Sequence, residues 1–253
     1  MMNQYESLVV LALSVAASFG FMWLLDQLWP REKRREHNDQ IGWQLTALGT
    51  TYAVILGFML YAVWSTFGAA ELNADTEADS LVNLYRIAAG LPEPQSSQLQ
   101  QLAKSYAQVV INEEWPQMAK GELPEESRAL NREMWKTIIS IRSATPTQIA
   151  AEDHALTELS VLTECRRTRI LQSKSRLPGV LWGVLLIGGI LTVASACLFG
   201  SANPILHGLQ VFAFSLLIAL GLVAITDINS PFQGAIHVST FAFDRAQENM
   251  RIP

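Results

Sequence analysis

Residues 45–67 read LTALGTTYAVILGFMLYAVWSTF, a run without a charged side chain. An α-helix rises about 1.5 Å per residue, so about 20 apolar residues cross the hydrocarbon core of a bilayer. Three further runs, 6–28, 179–199 and 205–226, share this length and carry almost no charge. The first lacks the basic segment of a secretory signal, so we interpret it as a span too. The sequence therefore predicts an all-α integral membrane protein with four transmembrane helices.

A charged segment, residues 69–177, separates the second span from the third. Its apolar side chains recur at helical spacing, and prolines stand where helices are expected to begin or end. Four helices are expected, near 69–90, 96–115, 125–143 and 146–176. No proline interrupts residues 44–89, so one helix is predicted to continue from the second span into this segment. The predicted organisation is transmembrane helices 1 and 2 at 1–68, a helical soluble block at 69–177, transmembrane helices 3 and 4 at 178–226, and a C-terminal tail at 227–253.

Two stripes of residues recur every four positions along the second span. The first, made of small residues, is Gly49, Ala53 and Gly57. Small residues at this spacing let helices approach closely in lipid, either within one chain or between subunits. The second stripe, about a quarter-turn away, is Thr50, Val54 and Phe58. A ring of these from several subunits would form a narrow, mostly apolar pore constriction, whereas the alternative is contact with lipid or a neighbouring helix.

Acidic side chains continue the same spacing beyond the span, at Glu71, Asp75 and Asp79. On a helix of 3.6 residues per turn, Asp75 and Asp79 fall near the face of Val54. If Val54 faces a pore, these carboxylates line its mouth and would attract cations. The alternative is that they form a solvated face of the helix.

Basic residues cluster next to the predicted spans. Arg166, Arg167 and Arg169 precede the third span, and residues 31–35 read REKRR after the first. Such charges anchor helix ends at lipid headgroups or draw anions toward a vestibule. Lysines and arginines are nearly balanced between the two sides of the membrane, so their count does not orient the chain.

Residues that could perform catalysis or bind a cofactor show no recognisable arrangement. The four histidines share no metal-ligand spacing, and there is no phosphate-binding glycine loop, nucleophile elbow or zinc-protease motif. The predicted spans hold almost no ionisable side chains, which disfavours a proton-coupled transporter. We therefore expect no enzymatic activity, no cofactor or metal site, and no nucleic-acid partner.

Short segments of the chain resemble a known family. Residues 54–58, VILGF, are similar to the pore-helix segment of bestrophins, and residues 226–234, TDINSPFQG, to the Asn-Pro-Phe-Gly turn after their last membrane helix. Residues 77–92, EADSLVNLYRIAAGLP, and 227–239, DINSPFQGAIHVS, resemble the bestrophin-like family of bacterial and plastid membrane proteins. This closer resemblance covers nearly the whole chain and matches the order of spans and soluble block.

The resemblance implies a homopentamer in the bacterial inner membrane, with lipid and small inorganic ions as its other partners. Both termini would lie in the cytoplasm, and the second span would line a central pore with Thr50, Val54 and Phe58 at the neck. The residues of the post-helix turn motif would be Asp227, Asn229, Pro231, Phe232, Gln233 and Gly234. The acidic calcium ligands that follow this turn in bestrophins are missing at residues 235–238, AIHV, so calcium gating is not expected.

The residue types in the turn motif also indicate its role at the end of the last membrane helix. Asn229 and Gln233 can satisfy free backbone groups at a helix end, while Pro231 prevents the helix from continuing. Phe232 is expected to be an apolar contact that holds the tail to the soluble helices and supports assembly.

The expected function is an ion channel that passes small monovalent anions, as the family implies. The carboxylate stripe at Glu71, Asp75 and Asp79 leaves a cation-preferring channel open. A further alternative is a non-conducting membrane scaffold or sensor whose soluble helices bind a partner.

Overall fold

The computed structural model describes residues 4–251, which fold into helices joined by turns, and no strand occurs in that range. The all-α prediction is therefore confirmed. The helices are α1 (Gln4–Leu28), α2 (Arg31–Arg35), α3 (Asn38–Ala88), α4 (Gln95–Val109), α5 (Trp115–Lys120), α6 (Glu126–Ile139), α7 (Pro146–Lys174), α8 (Gly179–Cys197), α9 (Pro204–Ile228) and α10 (Phe241–Asn249). A π-helical turn, Val110–Glu114, joins α4 to α5.

Four of these helices are long and apolar enough to cross a membrane. They are Tyr5–Leu28, Asn38–Ala88, Gly179–Cys197 and Pro204–Ile228. Large apolar side chains remain exposed on them, for example Leu13 on α1 and Ile187 on α8. Exposed apolar surface of this extent suits a hydrocarbon solvent rather than water. The prediction of an integral membrane protein with four spans is confirmed.

Helix α3 is a single continuous element. It contains no proline, so its hydrogen-bond ladder is not interrupted between Asn38 and Ala88. At about 1.5 Å per residue, its length is about 75 Å. The helix begins earlier than the predicted residue 44 because the Asn38 side chain is bound to Gly200. Asn38 Nδ2 donates to the Gly200 carbonyl at 2.9 Å, and Asn38 Oδ1 accepts from the Gly200 amide at 2.9 Å.

The chain divides into two compact units, and α3 contributes to both. The first contains residues up to 65 together with 176–229, and the second contains residues 66–175 together with the tail from 230. The sequence placed the soluble block at 69–177 and the tail apart from it. In the structure the tail belongs to the second unit, where the Trp115 indole N–H donates to the Val238 carbonyl at 3.0 Å.

The first unit packs α3 onto α8 and α9 through glycines on those two helices. A Cβ built on Gly188 would lie 2.7 Å from the Tyr52 ring, and one on Gly221 would lie 2.9 Å from Leu56. By contrast, nothing lies within 4 Å of a Cβ built on Gly49 or Gly57. Close packing within this unit therefore uses the face of Tyr52 and Leu56, and not the predicted Gly49, Ala53, Gly57 stripe.

The basic run at residues 31–35 does not serve only as a headgroup anchor. Arg34 is fully buried, pairs with Asp26, and donates from Nη1 to the Cys197 carbonyl at 2.8 Å. Arg31 pairs with the same Asp26 carboxylate. A guanidinium is thus a cap for the free carbonyls at the C-terminus of α8. The expectation of lipid anchoring is wrong for Arg34.

The second unit surrounds one apolar core. α7 begins with a capping box in which Thr145 accepts from the Gln148 amide, directly before Pro146 in the first turn. The helices predicted at 96–115 and 125–143 correspond to α4 with its π-helical extension and to α6. Pro116 does not end the first of these, because it lies in the first turn of α5, where an amide proton is not required. The largest fully buried apolar side chains here include Tyr106, Phe232, Phe243, Leu81, Leu84, Leu99, Met118 and Met134.

We predict that Gly188→Ala destabilises the first unit while Gly183→Ala does not. Both glycines lie in α8, but the added methyl group at 188 would meet the buried Tyr52 ring, whereas nothing lies within 4 Å at 183. Overpacking of this kind costs about 1–3 kcal/mol. Thermal unfolding of the detergent-purified variants should show a lower Tm for Gly188→Ala only. Equal Tm values for the two variants would contradict this packing.

Candidate pore face, buried ion cluster and post-helix turn

The stripe Thr50, Val54 and Phe58 lies on an uncovered face of α3. Val54 is 54% exposed and Phe58 is 66% exposed, and Thr50 is exposed as well. They lie between about 120° and 160° around the helix from buried Tyr52, which faces α8. One chain therefore presents this mostly apolar face without using it in its own packing.

The carboxylates Glu71, Asp75 and Asp79 are also exposed and share one side of α3. They line a polar cavity of about 520 Å³ within the second unit. The opposite wall comes from the tail and includes Arg245 and Asn249 of α10. The three carboxylates therefore share their cavity with a guanidinium, that of Arg245.

A fourth acidic residue of α3, Glu77, has a different environment from these three. It is fully buried, and its carboxylate pairs with fully buried Arg169, with 2.8 Å from Nε to Oε2 and 3.0 Å from Nη2 to Oε1. The Tyr106 hydroxyl donates to the same carboxylate at 2.6 Å. The pKa of Tyr106 is raised well above its ordinary value. Burial is the largest cause, and the nearby Glu77 carboxylate is the second.

Glu114, at the end of the π-helical turn, is the second anion of this cluster. Its Oε2 lies 2.7 Å from Arg169 Nη2, and its Oε1 accepts from the Ser127 amide at 2.9 Å. Burial alone raises the pKa of Glu114, but the Arg169 guanidinium and the hydrogen bonds from Ser127 outweigh it, so the pKa lies below its ordinary value. Burial also lowers the pKa of Arg169, yet Glu77 and Glu114 raise it by more. Arg169 and Glu114 therefore remain ionised at neutral pH.

Arg169 is further covered by aromatic rings. Its guanidinium carbon lies 5.4 Å from the Trp115 ring centroid and 6.0 Å from that of Phe243. Cation–π contact of this kind favours a desolvated arginine. The expectation that Arg169 meets lipid headgroups is therefore wrong, since the side chain is 0% exposed within the second unit.

The pairing of Glu77 with Arg169 was not predicted from the sequence, although the position of Glu77 gave a signal for it. Glu77 lies on the helical face that carries Ala70, Ala74 and Leu81, all of which are buried. A lone acid within an apolar stripe requires a buried cationic partner, because an unpaired buried charge is strongly unfavourable. The partner itself lies 92 positions away and could not be read from the stripe.

The turn after α9 begins with hydrogen bonds to the backbone. Asn229 is the last residue of the first unit, where its Oδ1 accepts from the Leu177 amide at 2.9 Å, and Asp227 is half-buried nearby in sequence. In the second unit the Pro231 carbonyl accepts from the Val238 amide at 2.7 Å. Gly234 adopts φ 97°, a left-handed conformation that favours glycine.

The middle of the turn is buried in the second unit. Phe232 is 1% exposed and contacts Trp115 edge-to-face, with ring centroids 5.4 Å apart. Gln233 Nε2 donates to the Met118 carbonyl at 3.1 Å, near the end of α5. These two side chains fix the start of the tail against α5 through one apolar contact and one polar contact.

The residues after the turn do not fit a calcium ion. Residues 235–238 supply no carboxylate, and His237 Nδ1 lies 3.0 Å from the Gly234 carbonyl oxygen. Calcium prefers several oxygen ligands, usually carboxylates and carbonyls. Across residues 4–251, no group of three or more His, Cys, Asp or Glu side chains is placed to hold a metal ion.

Comparison with known proteins identifies the family. The family model described as the bestrophin-like domain matches residues 12–243. The chain belongs to the bestrophin-like family. The family predicted from residues 77–92 and 227–239 is thus confirmed for this bestrophin-like protein.

Solved structures agree in fold. A crystal structure of a bacterial bestrophin homologue from Klebsiella pneumoniae, carrying one substitution, is similar with a TM-score of 0.67 and 16% identity over 97% of each chain. Another crystal structure, described as a membrane protein with one substitution, gives a TM-score of 0.66 at 16% identity over 97% of each chain. No curated protein matches the sequence of this bestrophin-like protein. At these identities the similarity shows a shared fold.

We predict that Phe232→Ala destabilises this bestrophin-like protein by about 3–5 kcal/mol, the usual cost of removing a buried phenyl ring. The matched control is Phe241→Ala in the same tail, because Phe241 is 63% exposed. Thermal unfolding and native gels should show a lower Tm and a weakened oligomer for Phe232→Ala only. An unchanged Tm and an intact oligomer would mean that this contact does not hold the tail.

Proposed function

We propose that this bestrophin-like protein is a homopentameric ion channel that passes small monovalent anions through a central pore lined by α3. The observation that carries the proposal is the exposed face formed by Thr50, Val54 and Phe58 on a helix suited to a membrane. Several copies around an axis would bring these faces together. Membership of the bestrophin-like family supports that arrangement.

The residue types on this face suit a constriction. Val54 and Phe58 are apolar, and a narrow apolar ring resists wetting until it widens. Gly49 and Gly57 leave open space beside α3, which supports close contact with the α3 of a neighbouring subunit. Thr50 adds a hydroxyl one turn from Val54.

The charged side chains on and near α3 influence whether the proposed pore prefers anions or cations. Glu71, Asp75 and Asp79 would favour cations at a pore mouth, which makes a cation-preferring channel the first alternative. Arg245 lines the same cavity as these carboxylates and offsets part of their charge. The anion channel remains the proposal, with the bacterial inner membrane as its location and both termini in the cytoplasm.

A non-conducting scaffold or sensor is the second alternative. The second unit exposes large apolar side chains, including Ile139 at 72% and Ile149 at 57%, which a protein partner could cover. A scaffold of this kind would capture a soluble protein in stoichiometric amount and would show no ion flux in liposomes. A channel would show flux without the partner.

We predict that Phe58→Ala increases ion leak through the reconstituted protein severalfold, because a methyl group leaves a wider and less effective apolar ring. The matched control is Phe214→Ala in α9, which removes an exposed phenyl ring from another membrane helix. The measurement is anion flux from liposomes at equal protein content. If Phe58→Ala leaks no more than Phe214→Ala, the constriction is not at Phe58.

A further inference from the structure

Four arginines converge on one groove of the second unit. Arg128 and Arg132 come from α6, and Arg166 and Arg167 come from α7. The groove has a volume of about 550 Å³. The other residues that line it are Asn131, Trp135 and Thr163.

The positive charge of this arginine groove is only partly neutralised within the chain. Arg166 is 12% exposed and is held by Glu114 at 3.5 Å, a carboxylate already shared with Arg169. Arg128 lies 4.0 Å from Glu125, and both side chains are mostly exposed. Arg132 and Arg167 have neither an ion pair nor a hydrogen bond with any residue in 4–251. At least two guanidiniums are therefore available to an external anion.

The floor of the groove is preorganised by polar contacts between α6 and α7. The Thr163 hydroxyl accepts from the Trp135 indole N–H at 3.0 Å and from the Asn131 amide at 3.0 Å. It also donates to the Leu159 carbonyl at 2.7 Å. Because these groups satisfy one another, the two helices hold their register and the arginines keep their spacing without a ligand.

We propose that the arginine groove binds a phosphate-bearing anion, either a free phosphate compound or the phosphate of a lipid headgroup. The planar fork of a guanidinium matches phosphate oxygens, and two or more arginines suit a ligand with more than one negative charge. A chloride ion would not fill a groove of about 550 Å³ or engage several forks at once. This site involves α6 and α7, so it does not depend on conduction through α3.

The first test measures the affinity of the full-length, detergent-purified protein for inorganic pyrophosphate. The variant Arg132→Gln with Arg167→Gln removes the two unpartnered guanidiniums, and we expect its Kd to rise about tenfold or more. The matched control is Arg142→Gln, which removes one exposed arginine from the segment between α6 and α7 outside the groove. Its Kd should equal that of the wild type.

The second arm measures retention of phosphatidylglycerol, relative to phosphatidylcholine, by native mass spectrometry of the same proteins. Loss of pyrophosphate binding in the double variant identifies a free phosphate ligand, and loss of phosphatidylglycerol retention identifies a lipid source. The proposal is overturned if the double variant binds both probes like the wild type. It is also overturned if Arg142→Gln loses as much affinity, since the effect would then be bulk charge. If the double variant changes only the oligomeric state and binds both probes like the wild type, the proposal is also overturned, because another copy of the chain then covers the groove.

Discussion

A guanidinium with no exposed surface lies at the centre of the second unit, where Arg169 contacts the carboxylates of Glu77 and Glu114. Removing one partner of a buried pair typically costs about 3–5 kcal/mol, because the remaining charge is left uncompensated. These three residues lie on α7, on α3 and at the end of the π-helical turn that precedes α5. Trp115, next to Glu114, packs on Phe232 and Phe243 of the tail. The helical block and the tail therefore share one electrostatic and aromatic centre.

The contacts with Trp115 and α5 explain why the post-helix turn contains these residue types. The tail must reach Trp115 soon after α9 ends, and Pro231 prevents the helix from continuing past that point. Phe232 then fills the space beside the indole ring, and Gln233 satisfies a carbonyl at the end of α5. A polar turn with a single buried phenyl ring is what this connection requires.

Composition and periodicity were sufficient to predict the architecture. Uncharged runs of about 20 residues specify membrane helices, and the absence of proline specifies a continuous α3. Whether an individual charged side chain is buried or exposed was not predictable in the same way. Arg166, Arg167 and Arg169 form one basic cluster in sequence, yet Arg169 is fully buried, Arg166 is mostly buried and Arg167 is exposed. Partner residues far apart in the chain decide such outcomes, and a periodic pattern does not reveal them.

Helix α3 joins these features to the proposed function. It supplies Glu77 to the buried cluster and presents Val54 and Phe58 on an uncovered face. The same small-residue stripe that the chain leaves unused in its own packing would lie between subunits. The proposed channel therefore depends on a helix that ion pairs hold in the second unit and that presents one uncovered face in the first.

The most direct measurement of the central claim is the reversal potential of the purified protein in planar bilayers under a salt gradient. We expect a conductance whose reversal potential lies near the chloride equilibrium value. A value near the cation equilibrium potential would contradict anion selectivity and would place Asp75 and Asp79 at the pore mouth. No current across a range of voltage and pH would contradict the channel itself.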